Sequence, residues 1–495
     1  MAFSAWGFTK GIGSAIASPF KWGFDAIKAT NKRQAPNSVN RSGDADLNQF
    51  ERARLLSTGR DLRNNFELLG WAVRKHLDYV STFTFQGKCP DEVKNKKIEA
   101  FVLKWSHKDR FDVAARHNLQ RFIRLAEERR MIDGDIFIYK LADGTVQAIE
   151  GDRIRNHSGS LIGLSEDFQM IQGVIVNGSG KALKYALHKR TRSVSDFSQA
   201  GGFVFEDMLP HEYVFHHAYW LRFDQTRGIS PLAGVYNALR DLYESFDYAL
   251  AKMKISQLLG LVVFRDSKDS LGDEQDNTAE VDEDGNPKPR CTVDIGKSPF
   301  KLELEGPDRA EFIESKNPSA EFQAFAQLMI SLVLKALDIP YSFYAENFST
   351  YSGSRQALLQ YEQSAEHRRN DNRDLLNDLT AWRLKMAIDA EDPDLAGVTV
   401  EDLQWEWVSA SLPWIDPIKE VAANTAAVQQ GFTSTVAVCK EQGTDAFAIA
   451  EEQANYELRV MKMRLEKGLP AFPTSAPVTY TEVVDSKDQP NAQAA

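Results

Sequence analysis

The sequence predicts an α+β fold that is mainly α, and three observations carry the expectation. A block of period-two alternation near the middle of the first half is bracketed by segments of helical period. Two apolar helix patterns, 231–264 and 319–340, enclose an acidic insertion with a Gly/Pro turn. A very long helix pattern, 354–392, is then followed by short helices that stop at glycines.

Taken in order, residues 1–49 read as an arm. Short apolar pieces around Trp6, Phe8, Phe20 and Trp22 are broken by Lys10, Gly11, Gly13, Pro19 and Lys21, and a polar stretch follows. This is not the continuous apolar core of a signal peptide. Residues 50–230 hold helix patterns in ERARLLSTGRDLRNNFELLGWAVRKHLDYVS and HNLQRFIRLAEERRMI. GDIFIYKL, QAIEGDRIR, QGVIVN, ALKYALHKR and EYVFHHAYW alternate as strands of an antiparallel meander, with turns at Asp143-Gly144 and Asn177-Gly178.

The helix of 231–264 is predicted to start with Ser230 as N-cap and Pro231 as first helical residue. Val235, Leu239, Leu242, Phe246, Ala249 and Met253 alternate in spacings of four and three, a seam of period 3.5 suited to packing on like helices. Charged Arg240, Asp241, Glu244, Asp247, Lys252 and Lys254 flank it. Residues 265–318 are a tip: an acidic run with Asp273, Glu274, Asp276, Asp282, Glu283 and Asp284, then a small hairpin, CTVDI and FKLEL. The second helix, 319–340, returns to a loop, 341–353, rich in Tyr, Phe, Ser, Thr and Asn. In 354–392 the polar run HRRNDNRD interrupts the apolar positions, which suggests a change of packing environment. Residues 393–468 hold three shorter helices ended by Gly431, Gly443 and Gly468, and 469–495 read as a disordered tail.

Composition narrows the function classes. The net charge of −11, from 59 basic and 70 acidic side chains, argues against a protein that grips DNA phosphates. Cys89, Cys291 and Cys439 are odd in number and widely spaced, so neither a disulfide framework nor a zinc motif is expected. No apolar run spans a bilayer. NGSGKA at 177–182 lacks the first glycine and the Ser or Thr of a phosphate loop and lies between strands. His216 and His217, adjacent in a strand, face opposite sides and share no metal. DEDG at 282–285 lacks the EF-hand spacing. No catalytic residue, metal site or cofactor is expected.

RFDQTRGISPLA, then a helix, then IPYSFYAENFSTYSGSRQALLQYE, PWIDPIKE and VQQGFTSTVAVCKEQGTD stand in one colinear order between about residues 50 and 470. Together they resemble the portal proteins of lambda-type tailed phages. The resemblance implies a wing (50–230), a stem of two helices (231–264 and 319–340), a clip (265–318), a tunnel loop (341–353), a long helix and a crown (393–468). It implies a homo-oligomeric ring of about twelve copies at one capsid vertex, around a channel for double-stranded DNA in packaging and ejection. Its partners would be that DNA, bound without sequence preference, the terminase large subunit, the major capsid and scaffold proteins and a head–tail adaptor; no membrane is implied. The site of action would be the virion, after assembly in the host cytoplasm.

On that reading Asn347, Ser349, Thr350, Tyr351, Ser352 and Arg355 would line the channel, with short polar groups that touch phosphate or sugar weakly. The seam from Val235 to Met253 would be the subunit interface, and the acidic run of the tip the motor-docking surface. The aromatics of the loop, Tyr341, Phe343, Tyr344 and Phe348, are expected to pack in the core. An acidic wall suits a conduit that must not hold DNA. Two alternatives stay open: a ring-forming virion or scaffold protein that never surrounds DNA, and a metal-dependent nuclease using clustered carboxylates.

Overall fold

The computed structural model describes residues 42–157, 168–190, 202–258, 261–264, 309–312, 320–346, 351–410, 417–468 and 470, without the side chains of 46, 255–258, 261–264, 309–312, 320, 351 and 352. The chain opens with α1 (Gly43–Asp46), α2 (Gln49–Asn65), α3 (Glu67–Val80) and β1 (Phe83–Gly87). Helices α4 (Glu92–Trp105), α5 (Lys108–Phe111) and α6 (Leu119–Asp133) follow. Then come β2 (Asp135–Lys140), β3 (Val146–Glu150), β4 (Gln169–Ile171), β5 (Val174–Val176), β6 (Ala182–Arg190), β7 (Phe203–Pro210) and β8 (Val214–Ala218). Next are α7 (Tyr236–Leu258), β9 (Leu261–Phe264), β10 (Arg309–Phe312) and α8 (Ala320–Lys335). The last elements are α9 (Tyr341–Ala345), α10 (Tyr351–Asp389), β11 (Trp405–Ser409), α11 (Pro417–Gln429), α12 (Thr435–Glu441) and α13 (Ala446–Glu466). This is an α+β fold, mainly α.

The chain divides into two compact units, whose described residues fall in Met1–Leu55, Asp152–His211 and Trp220–Ile229, and in Leu56–Gly151, Glu212–Tyr219 and Ser230–Ala495. The alternating strands are therefore not one meander. In the second unit, β2 lies between β3 and β8, so the first strand of the block pairs with the last. Strand β2 is buried from Asp135 to Ile138, as a central strand covered on both faces must be. Its core joins α4, α6, β2 and the second half of α10 through Phe101, Trp105, Phe122, Ile138, Leu375, Leu376 and Leu379. Strand β1 pairs with β11, more than three hundred residues away in sequence, and sets Phe85 against Trp407 edge to face at 5.1 Å. The sequence signals did not join these two segments, because local alternation carries no record of a distant partner.

The first unit holds the sheet β4-β5-β6-β7. Gly173, at φ +87°, turns β4 into β5; a Cβ there would lie 2.4 Å from the Arg155 backbone nitrogen, so only glycine fits. At the next turn, Asn177 Oδ1 accepts from the backbone of Ser179 and Lys181, and the residue with positive φ is Gly180. The RFDQTRG motif folds back on itself here. Gln225 Oε1 accepts from the backbone of Leu221, and Gln225 Nε2 donates to the Arg227 carbonyl. Buried Arg227 donates to the carbonyls of Ile154 and Gln172, tying the motif to the strand layer.

Candidate functional site

Helices α7 and α8 are joined through the antiparallel pair β9–β10, so residues 265–308 leave and re-enter the chain at one paired base. This strand pair was not signalled by alternation; the hairpin expected at CTVDI and FKLEL lies outside the described residues. Helix α7 also starts later than the Ser230-Pro231 signature suggests. Ser230 Oγ donates to the Met131 carbonyl and accepts from the Leu232 amide, a 3-10 turn spans Ala233–Val235, and the α-helix begins at Tyr236. The hydroxyl caps a turn that Tyr236 then pins, its Oη 3.2 Å from the Ile132 carbonyl oxygen. Burial pushes that phenol up to about 12, so it stays a neutral donor.

The six seam residues do not form one surface. Val235, Leu239 and Leu242 are buried within their own subunit, where a side chain offers little area to a neighbour. Phe246 is exposed and meets Phe322 edge to face at 5.8 Å, and Ala249 and Met253 are half-buried. Helix α8 shows a clearer division. Ala326, Ile330, Val333 and Leu334 are buried, whereas Phe325, Leu328 and Leu332 stand open, Leu328 at 65%. At about 100° per residue, these sets lie on roughly opposite faces of one helix. The signal was present in AEFQAFAQLMISLVLK, which is apolar almost all round and so needs partners on more than one side.

Beyond α8 the chain turns through Asp338, at φ +58°, and Pro340 precedes the short α9. Phe343 packs at 5.6 Å from Tyr361 and 6.1 Å from Tyr79, and Tyr344 stands edge to face with Trp71 at 5.8 Å. These aromatic contacts anchor the foot of the loop against α3 and α10. Of the candidate channel residues, Asn347, Ser349 and Thr350 lie outside the described residues, as does Phe348. Tyr351 and Ser352 open α10, their side chains outside the description, and Arg355 is exposed on its first turn. Glu362, a possible partner of Arg355, pairs with Arg369, at 3.2 Å from Nη2. Asp273, Glu274, Asp276, Asp282, Glu283 and Asp284 also lie outside the described residues.

The polar run of α10 lies inside the protein: Arg368, Arg369 and Asn372 of HRRNDNRD are buried, and the helix runs unbroken for 39 residues. Arg368 donates to the Leu337 carbonyl at the end of α8 and lies 3.2 Å from His76 Nε2. Arg369 donates to the Tyr79 carbonyl, and Asn372 to that of Val80, so both hold the end of α3. Asn372 Oδ1 lies 3.0 Å from His217 Nε2. Glu127 and Arg130 of α6 complete the node in a two-pronged ion pair at 2.8 and 3.0 Å, and Arg130 reaches Asp371 at 2.6 Å.

Burial opposes the charge on Glu127, but Arg130 and the hydrogen bond from His217 outweigh it and bring its pKa down to about 2. Burial, with Arg368 beside it, holds His76 well below the ordinary histidine range. Burial and Arg130 lower His217 against the pull of Glu127, so it meets that carboxylate as a neutral donor, 3.4 Å away. His216 points to the other side of its strand, 3.2 Å from Asp135 Oδ2 and stacked on Phe137. Among the described residues no group of His, Cys, Asp and Glu is placed to hold a metal. No described helix is long and apolar enough to cross a membrane.

Helix α8, with Phe325, Leu328 and Leu332 open, thus ends at a charged node beside the foot of the loop. Residues 30–369 match the phage portal protein, lambda family, and the chain belongs to that family, which is structural rather than enzymatic. Among solved structures, the chain is similar to one in the virion of a native gene transfer agent (GTA) particle. That match has 13% identity, covers 80% of this chain and 93% of the other, and has a TM-score of 0.44. A chain in the neck of the empty GTA particle, computed with C6 symmetry, gives 13%, 78%, 93% and 0.45 in the same order. One in the neck of the native particle, computed with C12 symmetry, gives 12%, 82%, 96% and 0.42. The comparison with curated proteins returns no match.

Proposed function

We propose that this portal protein closes into a ring of about twelve copies at one capsid vertex, and that double-stranded DNA passes along its axis inward in packaging and outward in ejection. The observation that supports this most is the second apolar face of α8. In a ring each subunit offers two different surfaces, and Phe325, Leu328 and Leu332 supply one of them outside the subunit's own core. The insertion that leaves the stem at β9 and returns at β10 is then the docking surface for the terminase large subunit and later the head–tail adaptor, with its acidic run, Asp273 to Asp284, foremost. The loop between α9 and α10 approaches the DNA, and neutral Asn347, Ser349, Thr350 and Ser352 give contacts weak enough not to stall a duplex when multiplied around the ring.

Replacing Leu328 and Leu332 together by Asp should turn rings into folded monomers, read by light scattering and end-on electron micrographs. Rings that form as in the wild type would refute this interface. Replacing Ser349 and Thr350 by Lys should leave rings intact, slow DNA passage, and lose that defect as salt rises. A defect indifferent to salt would mean that the loop does not act through phosphate.

A further inference from the structure

We infer that the free edge of β1 is a docking slot for the C-terminal segment of the same chain, residues 478–484, which add to the β1–β11 pair as a third strand. In an antiparallel pair, alternate residues turn their N–H and C=O groups toward the partner. The Thr82 carbonyl accepts from the Ala410 amide at 3.1 Å, and the Lys88 amide donates to the Gln404 carbonyl at 2.8 Å. With the register unbroken between them, Thr84 and Gln86 also face β11, and Phe83, Phe85 and Gly87 face away. Gly87 bears out the direction, since its amide donates to Glu99 Oε1 at 2.9 Å. The main-chain groups of Phe83 and Phe85 meet no partner among the described residues.

That edge does not open onto a flat surface. It runs along a cleft of about 780 Å³ whose wall holds Phe83, Phe85, Val102, Leu119, Trp407 and Ile449. A volume of this order accommodates a ligand or a short stretch of peptide. Unpaired main-chain groups beside an apolar wall are what an added strand uses, the first for affinity and the second to seat alternate side chains. A bare edge invites pairing with other molecules, so a segment that covers it also protects the fold.

The occupant follows from where the chain leaves α13, a helix of the same compact unit as β1. The start of α13 lines the cleft through Asp445, Ile449 and Glu452, and Lys88 holds Asp445 at 3.5 Å. At the far end the chain bends: Gly468 stands at φ +69°, and Arg464 Nε donates to the Pro470 carbonyl at 2.8 Å, so residue 470 lies beside the last turn. From 452 to 466 the helix rises about 21 Å. Extended chain from 470 to 478 spans up to about 28 Å, enough to return beside the helix to the cleft. The stretch that arrives there is VTYTEVV, in which every residue but Glu482 is β-branched or aromatic, with Pro477 before it and Asp485 after it. Because the pairing lies within one copy, it holds whether or not the ring forms.

The test is disulfide cross-linking of the full chain with Cys89, Cys291 and Cys439 replaced by Ala. Thr84→Cys, at an exposed position of β1, is combined in turn with a single cysteine at each position from 478 to 484. Mild oxidation should give an intrachain bond at alternate positions only, seen as a faster band on a denaturing gel, because the side chains of a paired strand alternate between its faces. Amide exchange adds a second readout. Phe83 and Phe85 should exchange about tenfold more slowly in the parent chain than in Thr479→Pro with Thr481→Pro, while Thr84 and Gln86 exchange equally in both. Covalent dimers would mean that a second copy fills the slot, and cross-links at every position would mean that the segment lies loose over it; either result overturns the proposal. Absence of cross-links, with exchange at Phe83 and Phe85 indifferent to the prolines, overturns it as well.

Discussion

In α10 the run HRRNDNRD supplies Arg368, Arg369 and Asn372 to the interior, while α13 supplies Tyr456, Leu458, Met461, Met463 and Leu465 to the outside. Polarity alone would have placed both the other way. The node is buried because its polar groups are matched at close range: Glu127 with Arg130, Arg369 with Glu362, Arg368 and Asn372 with backbone carbonyls. Helix α13, by contrast, has no buried residue. The first region finds its partners within one chain. The node fixes the end of α3, the end of α8 and the middle of the long helix to one another.

That contrast breaks most visibly at Arg130. Arg130→Met leaves the Glu127 carboxylate buried without its cation, and unfolding in denaturant should show a loss of about 3–5 kcal/mol. Adding Glu127→Leu removes the stranded charge and should recover most of that loss. The exposed pair Lys96–Glu451 at the start of α13 is the control: Glu451→Ala should leave the unfolding midpoint where it was. If Arg130→Met behaves like Glu451→Ala, the node is not the anchor described here.

The fold class was legible because period-two and period-3.5 patterns report directly on local structure. The alternation of β2, β6 and β8 and the glycine stops Gly431, Gly443 and Gly468, all at positive φ, were visible for that reason. The partners were not. Nothing local in FTFQG or WEWVS says that β1 pairs with β11. A seam such as Val235 to Met253 says that a helix packs, but not whether its own chain or a neighbour supplies the other side; here the own chain takes Val235, Leu239 and Leu242. Arg227 belongs to the motif RFDQTRGISPLA, yet its role, two hydrogen bonds to the carbonyls of Ile154 and Gln172, depends on residues far from it in sequence. Buried arginines were missed because a charge run is usually a solvated face, and only the pairing partners reveal the exception.

A smaller effect separates the two regions by pH. His76 and His217 are held neutral in the node, the first by burial and Arg368, the second by burial and Arg130, whereas Glu127 pulls both the other way. In the unfolded chain each takes up a proton near pH 6.5. Below that value the unfolded state therefore binds protons the native state refuses, and stability must fall as pH falls. The slope approaches at most about 1.4 kcal/mol per pH unit for each histidine. Denaturant unfolding at about pH 7, 6 and 5 should show this decline, well before Glu127 loses its charge near pH 2. His217→Gln keeps a donor toward Asn372 and should flatten the slope by its share, while Leu458→Asp in α13 should leave the slope unchanged. A profile that is flat in the parent protein would mean that both imidazoles are charged in the fold. The node would then be held by ion pairs throughout rather than by neutral donors between them.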